Sequence, residues 1–397
     1  MAVDVRRFIF PFVDLSVSKW AWEARVLRWL TLLWLVLGLL VLYSASYSIA
    51  IVEHGDGLYY FKRQALWAIV GLVGFNCAIH TPLRSWLKIA PWMVFGILGL
   101  LVLVLVPGLG TTVNGATRWI SIGIVPIQPS ELIKPFLILQ AASLFGRWNH
   151  VSLKVRLTWI GIWGVILVGI LLQPNLSTTA LCGMMLWLMA LAAGLSYQLL
   201  GGTAAGGLIL ATLSVSINEY QRRRILSFLN PWASPDGDGY QLIQSLLAVA
   251  SGGPWGTGFG LSQQKIFYLP IQYSDFIFSV FAEEFGFIGS LVLLLLLGSY
   301  ATLSLLVAFK AKNLVYQLVA IGVMVIMVGQ SLVNIGVATG VLPTTGLPFP
   351  LFSYGGSSSI ATLLAAGLLI RVARESGKAK VIEMSRARSG QPKPGDL

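Results

Sequence analysis

Long apolar runs separated by short polar breaks cover most of the 397 residues of this chain. A helix that crosses a bilayer needs about 20 mostly apolar residues, and runs of about this size recur ten times. The pattern therefore predicts ten membrane-spanning helices, at residues 27–49, 64–80, 89–107, 130–147, 157–173, 178–196, 199–217, 283–309, 316–338 and 356–374.

Composition supports a membrane protein and excludes an ordinary soluble enzyme. Hydrophobic residues make up 56% of the chain and charged residues only 11%, whereas a soluble domain carries roughly 25% charged residues. Lipid must therefore solvate much of the surface, and the predicted fold class is an all-α polytopic membrane protein. Cys77 and Cys182 lie in apolar stretches, and the three histidines have no partner at metal-ligand spacing, so neither a disulfide framework nor a metal site is predicted.

The net charge of +12 predicts an orientation rather than nucleic-acid binding, because the basic residues collect at the ends of the apolar runs. Lysines and arginines lie before the first run, between alternate runs and after the last, which places both termini in the cytoplasm. The predicted organisation is a cytoplasmic N-terminal segment (1–26), a membrane domain (27–374) and a basic, disordered cytoplasmic tail (375–397). A long extracytoplasmic loop, residues 218–282, separates the seventh and eighth spans.

Polar residues enter the apolar pattern at the first candidate site, which holds Arg118, Glu131 and Lys134. Glu131 and Lys134 are one helical turn apart, so a helix cap with a local ion pair would explain them. Lys134 is followed by Pro135 at membrane depth, which favours the alternative of a paired charge that lines a polar cavity. A second polar break, residues 173–179, is explained by a capped turn at Asn175.

The long loop contains the third candidate site. Arg222, Arg223 and Arg224 either bind lipid phosphates or recognise a pyrophosphate-bearing substrate, and the sequence leaves both interpretations open. Asp275 lies among phenylalanines, and loss of solvent there would raise its pKa and make it a better proton acceptor. A helix cap by Ser274 or Asp275 is the simpler alternative, whereas Glu283 in the following apolar run has no such explanation.

The fourth candidate site is the break before the last span. Prolines and glycines interrupt the helix at residues 342–350, and Ser353, Gly355 and a serine run follow. Irregular backbone at membrane depth survives only beside protein or a water-filled cavity.

These motifs, in this order, resemble the SEDS family of polytopic membrane proteins over residues of roughly 25–375. The resemblance is carried by residues 114–119, 128–134, 173–179, 240–260, 274–286 and 345–358. Residues 264–265 and 268–270 are more similar to the cell-division branch of the family than to its elongation branch. The chain departs from the family pattern at Asn175 and Ser177, where members commonly have Asp and Gly.

The resemblance implies a peptidoglycan glycosyltransferase of the cytoplasmic membrane that polymerises lipid II on the outer face during division, at the septum. It implies as partners a class B penicillin-binding protein, other division proteins and membrane lipids. In the family the aspartate that matches Asp275 is catalytic, Glu131 and Lys134 match residues of the central cavity, and Arg118 matches an important residue.

Together, the two lines of argument predict that Asp275 acts as general base on the acceptor sugar. Arg118, Lys134 and Arg222–Arg224 would stabilise the leaving pyrophosphate, with a divalent cation, Mg²⁺ or Mn²⁺, as an optional helper. Glu283, Ser353 and Gly355 complete the expected cavity. The rival interpretations are a lipid II flippase, for which broken helices and charges at membrane depth would be equally natural, and a scaffold that only recruits the transpeptidase.

Overall fold

The computed structural model describes residues 15–113, 116–123 and 125–389. The first part of the predicted N-terminal segment, the start of the 114–119 motif and the end of the predicted tail lie outside these residues. Each of the ten predicted spans falls on a helix. In chain order these helices are α1 (Trp22–His54), α2 (Tyr59–His80), α3 (Leu83–Val104), α4 (Pro129–Phe145), α5 (Leu153–Leu171), α6 (Leu176–Ala192), α7 (Tyr197–Ile217), α10 (Ile277–Phe309), α11 (Leu314–Ala338) and α12 (Gly356–Ser389).

Seven of the described helices are long and apolar enough to cross a membrane: α1, α3, α5, α7, α10, α11 and α12. The all-α membrane class is therefore confirmed, while the count of ten spans stays a prediction. The apolar helix α6 is shorter than these seven.

Helices α11 and α12 form the centre of the bundle. They are the most buried of the seven long helices, and α12 packs along α2 and also against α4, α11 and α1. Helices α5 and α7 lie at the periphery, where most of their apolar side chains are exposed as expected for contact with lipid. The two loops that lead into α10 and α12 thus enter the most protected part of the molecule.

A small antiparallel sheet is an addition to the predicted all-α fold. Strands β1 (Gly110–Val113), β2 (Ala116–Ile122) and β3 (Val125–Ile127) pair in sequence order between α3 and α4. In the register, Thr111 lies opposite Trp119, and Ile120 lies opposite Ile127. Threonine, isoleucine, valine and tryptophan favour extended backbone, so this segment carried a strand signal within a helical pattern.

The predicted long loop is largely structured. It contains helices α8 (Glu219–Leu229) and α9 (Tyr240–Ser251), and α10 begins at Ile277 rather than at 283. We call residues 252–276, between α9 and α10, the aspartate loop, and residues 339–355, between α11 and α12, the proline loop.

The predicted disorder of the tail differs from the structure as far as Ser389, where α12 ends. Once a long helix is nucleated, each added residue gains a backbone hydrogen bond, so the helix continues beyond its apolar part. The polar composition of residues 375–389 did not reveal this continuation.

Helix α10 is kinked at Gly286, where the aspartate loop contacts it backbone to backbone. Gly286 has φ of 66°, and Thr257 and Gly258 donate their N–H groups to the carbonyl oxygens of Glu283 and Glu284 at 2.9 and 3.0 Å. A Cβ atom on Gly286 would lie 2.3 Å from the nitrogen of Gly256. Only glycine therefore permits this close approach.

We expect Gly286→Ala to destabilise the protein by at least about 2 kcal/mol, because it combines left-handed backbone with a steric clash. Gly298→Ala on the same helix is the matched control, since nothing lies within 4 Å of its Cβ position. That change should be neutral or stabilising by up to about 1 kcal/mol. Thermal unfolding of both variants in detergent tests the expectation, and equal unfolding midpoints would contradict it.

Candidate active site

A cavity of about 1080 Å³ opens between the sheet, helix α8, the aspartate loop, the proline loop and the start of α12. Of the ten residues that the sequence placed in the site, five line this cavity: Arg118, Arg223, Arg224, Asp275 and Gly355. The other five, Glu131, Lys134, Arg222, Glu283 and Ser353, are not among the lining residues. Four of these five hold the walls, as their contacts show.

Asp275 is held at the end of the aspartate loop, just before α10. Its Oδ1 accepts a hydrogen bond from the hydroxyl of Ser274 at 3.1 Å, and its backbone carbonyl accepts one from the side chain of Asn334 at 2.9 Å. Among the described residues, no donor contacts Oδ2, which lies beside Gly346. One carboxylate oxygen is therefore left for a substrate.

Ser353 positions the aspartate loop and does not line the cavity, which corrects its predicted role. Its hydroxyl donates to the carbonyl of Ser274 at 2.6 Å and accepts from the N–H of Phe349 at 2.8 Å. The N–H of Tyr354 donates to the carbonyl of Tyr273 at 2.9 Å. The proline loop thus fixes the backbone on which Asp275 stands.

Asn334 and Gln330 of α11 are functional candidates that the sequence reasoning missed. The amide of Asn334 donates to both Asp275 and Leu347, and that of Gln330 donates to the carbonyl of Pro348 at 2.6 Å. A π-helical turn, Val325–Gly329, immediately precedes Gln330. Two amides four residues apart in an apolar span share one helix face, and this spacing was the available signal.

Glu131 and Lys134 form the predicted ion pair, at 2.6 Å, but within the bundle behind the cavity. Both side chains are only 2% exposed. Lys134 also donates to the side-chain oxygen of Gln330 at 3.0 Å, which connects the pair to Pro348 of the proline loop. The long lysine side chain is used to reach these partners, so the pair supports the cavity wall instead of lining it.

Glu283 anchors the aspartate loop, which corrects its predicted place in the cavity. Its carboxylate accepts hydrogen bonds from the hydroxyl of Ser262 at 2.5 Å and from the N–H of Gln263 at 2.9 Å. The adjacent Glu284 forms a buried ion pair with Lys265 at 2.6 Å. Two neighbouring carboxylates therefore hold residues 262–265 of the aspartate loop. Buried carboxylates require such hydrogen-bonding or charged partners.

Arg118 on β2 is clamped by the turn between α5 and α6. Its Nε and Nη2 donate to the carbonyl oxygens of Gln173 and Pro174 at 3.1 and 2.5 Å. The predicted cap of this turn is confirmed, since Asn175 accepts from the N–H of Thr178 at 3.3 Å. The chemistry of residue 175 in this chain is therefore that of a cap.

Gly346 separates the guanidinium of Arg118 from the carboxylate of Asp275. A Cβ atom at this position would lie 3.5 Å from Nη1 of Arg118 and 3.7 Å from Oδ2 of Asp275. Because Gly346 has no side chain, open space remains between the guanidinium and the carboxylate, and a small polar group of a substrate can enter it.

The three consecutive arginines of α8 point in different directions, as residues about 100° apart on a helix must. Arg224 reaches the cavity, stacks over the ring of Tyr220 and approaches the carbonyl of Thr344 at 3.4 Å. Arg223 also borders the cavity but is exposed and paired with Glu219 at 2.5 Å. Arg222 is exposed outside the cavity, so the three do not form one phosphate-binding fork.

Burial raises the pKa of the Asp275 carboxyl above its usual range. Arg224, the Ser274 hydroxyl and Arg118 oppose this effect by stabilising the carboxylate. A carboxylate of raised pKa accepts a proton more readily at neutral pH, which suits a general base.

Among the described residues, no group of three or more histidine, cysteine, aspartate or glutamate side chains is arranged to hold a metal ion. The carboxylates that border the cavity besides Asp275 are Glu219, Asp236 and Asp238. These residues do not fit a metal site made by protein alone.

Comparisons with known proteins agree with this architecture. A family described as "Cell cycle protein", which groups FtsW, RodA and SpoVE, matches residues 24–378. A probable peptidoglycan glycosyltransferase FtsW of Synechocystis sp. PCC 6803 is 54% identical over 96% of this chain and 97% of its own length. Stage V sporulation protein E of Bacillus subtilis is 36% identical over 87% of this chain and 96% of its own length.

Solved structures show the same fold. A chain from a peptidoglycan synthase complex, described in terms of coordinated polymerization and crosslinking, has a TM-score of 0.72 at 31% identity. It covers 90% of this chain and 98% of its own. RodA of Thermus thermophilus has a TM-score of 0.66 at 28% identity and covers 90% of this chain and 97% of its own. The chain thus belongs to the FtsW, RodA and SpoVE family of cell cycle proteins.

Proposed function

We propose that this protein is a peptidoglycan glycosyltransferase that polymerises lipid II in the cytoplasmic membrane during cell division. The names of its relatives support the activity, and the free carboxylate oxygen of Asp275 in a polar cavity carries the argument. The cavity also borders the start of α12, one of the helices that are apolar enough to cross a membrane, which suits a substrate with a lipid tail.

In the proposed reaction, Oδ2 of Asp275 accepts the proton of the 4-hydroxyl group of the acceptor sugar. The hydroxyl oxygen forms a bond to the anomeric carbon of the donor, and the bond from that carbon to the pyrophosphate oxygen breaks. The electron pair leaves with the polyprenyl pyrophosphate, and the anomeric centre is inverted. Raised pKa, one unpartnered oxygen and a fixed backbone are the properties that this role requires of Asp275.

Arg118 and Arg224 are the cations that we assign to the negative charge of the leaving group, because both border the same cavity as Asp275. Preorganised positive charge is worth most where charge develops in the transition state. We assign Glu131 and Lys134 a structural role in the cavity wall, since they form an ion pair with each other and Lys134 also donates to Gln330.

A divalent cation, Mg²⁺ or Mn²⁺, would add positive charge at the leaving pyrophosphate if it binds together with the substrate. Magnesium is commonly held by one or two carboxylates together with substrate phosphates. Because the described protein residues make no complete cage, we derive no step through a metal ion.

We further propose a class B penicillin-binding protein as the partner that cross-links the new glycan, with other division proteins at the septum. The structural neighbour from a peptidoglycan synthase complex supports a partnership between polymerising and cross-linking activities. A lipid II flippase is the rival function, and vesicles in which labelled lipid II changes leaflet without forming chains would favour it.

Asp275→Asn should reduce the rate of glycan-chain formation by a factor of about 10² to 10⁴, which is the usual contribution of a general base. The measurement is polymerisation of labelled lipid II by the purified protein together with its partner. Asp56→Asn is the control, because Asp56 pairs with Lys62 outside the cavity and should leave the rate unchanged. Equal rates for wild type and Asp275→Asn would remove Asp275 from the chemistry.

Arg224→Gln should move the acidic limb of the pH profile of kcat/KM to higher pH. Arg224 lowers the pKa of Asp275, so its removal raises that pKa further, and the base stays protonated up to a higher pH. Arg222→Gln is the matched control, since this neighbouring arginine is exposed outside the cavity. If the limb stays in place in Arg224→Gln, the limb does not report Asp275.

A further inference from the structure

We propose that the first turn of α12, residues 355–358, binds the pyrophosphate of the polyprenyl-linked donor. The inference rests on the proposed glycosyltransferase function and assigns one of its subsites. All four residues line the cavity that contains Asp275.

The first turn of α12 offers free backbone donors. The first N–H groups of any helix lack partners within it, and here Ser359 makes the first such bond, to the carbonyl of Gly355 at 3.0 Å. Among the described residues, no acceptor contacts the N–H groups of Gly356, Ser357 or Ser358. Such a cluster of N–H groups, at the positive end of a long helix, is suited to bind an anion.

Ser358 provides the second and independent observation. Its side chain is 7% exposed and lines the cavity, and no described residue forms a hydrogen bond with its hydroxyl. Its neighbours are already used, because Ser357 accepts from the N–H of Gln128 at 3.0 Å and Ser359 accepts from Gln64 at 2.7 Å. The hydroxyl of this largely buried residue is therefore accessible from the cavity and available to hydrogen-bond a ligand there.

The surrounding residues leave access to these donors. A Cβ atom on Gly355 would meet only the Cβ of Ser358, at 3.6 Å, so this side of the turn is uncovered. On Gly356 the indole of Trp67 fills the side-chain position, where a Cβ atom would lie 2.7 Å from the ring. Gly355 therefore leaves the backbone of this turn open to the cavity, while Gly356 allows the Trp67 ring to pack against the turn.

Charge complementarity favours a group with two phosphates. The helix end supplies one centre of positive potential, and Arg118 and Arg224 supply a second in the same cavity. Of the carboxylates at the cavity besides Asp275, Glu219 is paired with Arg223, and Asp236 and Asp238 are exposed to solvent. A pyrophosphate offers one phosphate to each of these centres, whereas a monophosphate has a single phosphate to share between them.

The test compares Ser358→Asp with Ser358→Asn, and the probe is undecaprenyl pyrophosphate. Aspartate in the first turn stabilises a helix, so the variant should fold, yet its charge would lie where the pyrophosphate binds. We expect Ser358→Asp to weaken binding at least about tenfold, since juxtaposed like charges are strongly unfavourable. The neutral Ser358→Asn keeps a donor and should bind within about threefold of wild type.

Two controls complete the design. Ser152→Asp places the same charge just before α5, outside the cavity, and should leave binding unchanged. Undecaprenyl monophosphate should bind wild type at least about tenfold more weakly than the pyrophosphate, because it has a single phosphate to share between the two positive centres. Inorganic pyrophosphate separates recognition of the headgroup from binding of the lipid tail.

The proposal is overturned if Ser358→Asp binds undecaprenyl pyrophosphate as wild type does, or if Ser358→Asn loses as much affinity as Ser358→Asp. Equal binding of monophosphate and pyrophosphate would also overturn it. Failure of the proposed function has a different signature, which is charge-sensitive pyrophosphate binding without any glycan chains from lipid II.

Discussion

One side-chain amide joins the two irregular loops on which the cavity depends. Asn334 donates to the carbonyl of Asp275 in the aspartate loop and to that of Leu347 in the proline loop, both at 2.9 Å. Both loops enter an apolar bundle, where each backbone carbonyl without water must find a donor. Asn334 of the central helix α11 meets this requirement for one carbonyl of each loop. Together with the direct hydrogen bonds from Ser353 and Tyr354 to the aspartate loop, it fixes the relative position of the two loops.

The charged side chains around the cavity differ in how fully their partners satisfy them. Glu131 with Lys134 and Glu284 with Lys265 form buried ion pairs within the bundle, although Oε2 of Glu284 has no hydrogen-bond partner among the described residues. Asp275 and Arg118 are different, because both border the open space at Gly346 and keep part of their hydrogen-bonding capacity. The two ion pairs hold the surrounding structure in place, and Asp275 and Arg118 face the cavity.

The sequence predicted the elements of this fold that depend on long periodic patterns. All ten apolar runs correspond to helices, and the cap at Asn175 and the pairing of Glu131 with Lys134 follow from local spacing. What it could not predict are distances between residues far apart in the chain. The sequence predicts Glu283 in the cavity because it is a carboxylate in an apolar segment, and Ser353 because it follows an irregular break before the last span. Their hydrogen bonds with Ser262 and Ser274 make both residues structural instead.

The same limitation explains the missed residues and the arginines. Nothing in the local pattern shows that Asn334 contacts the loop containing Asp275, which lies 59 positions earlier in the chain. The run Arg222–Arg224 looks uniform as a sequence, but helical geometry places Arg222 outside the cavity that Arg223 and Arg224 border. Contacts between residues close in the sequence could be predicted from local spacing. Contacts between a loop and a distant helix could be identified only from the structure.

The location of the partners of Lys134 bears on how the protein is inserted during synthesis. Its carboxylate partner is three residues away in the same helix, so α4 can enter the bilayer with its two charges already neutralised. Its amide partner, Gln330, lies 196 residues downstream and does not exist when α4 leaves the ribosome. The ion pair with Glu131 can thus form while α4 inserts, and the hydrogen bond to Gln330 that connects Lys134 to the proline loop can form only after α11 has been synthesised.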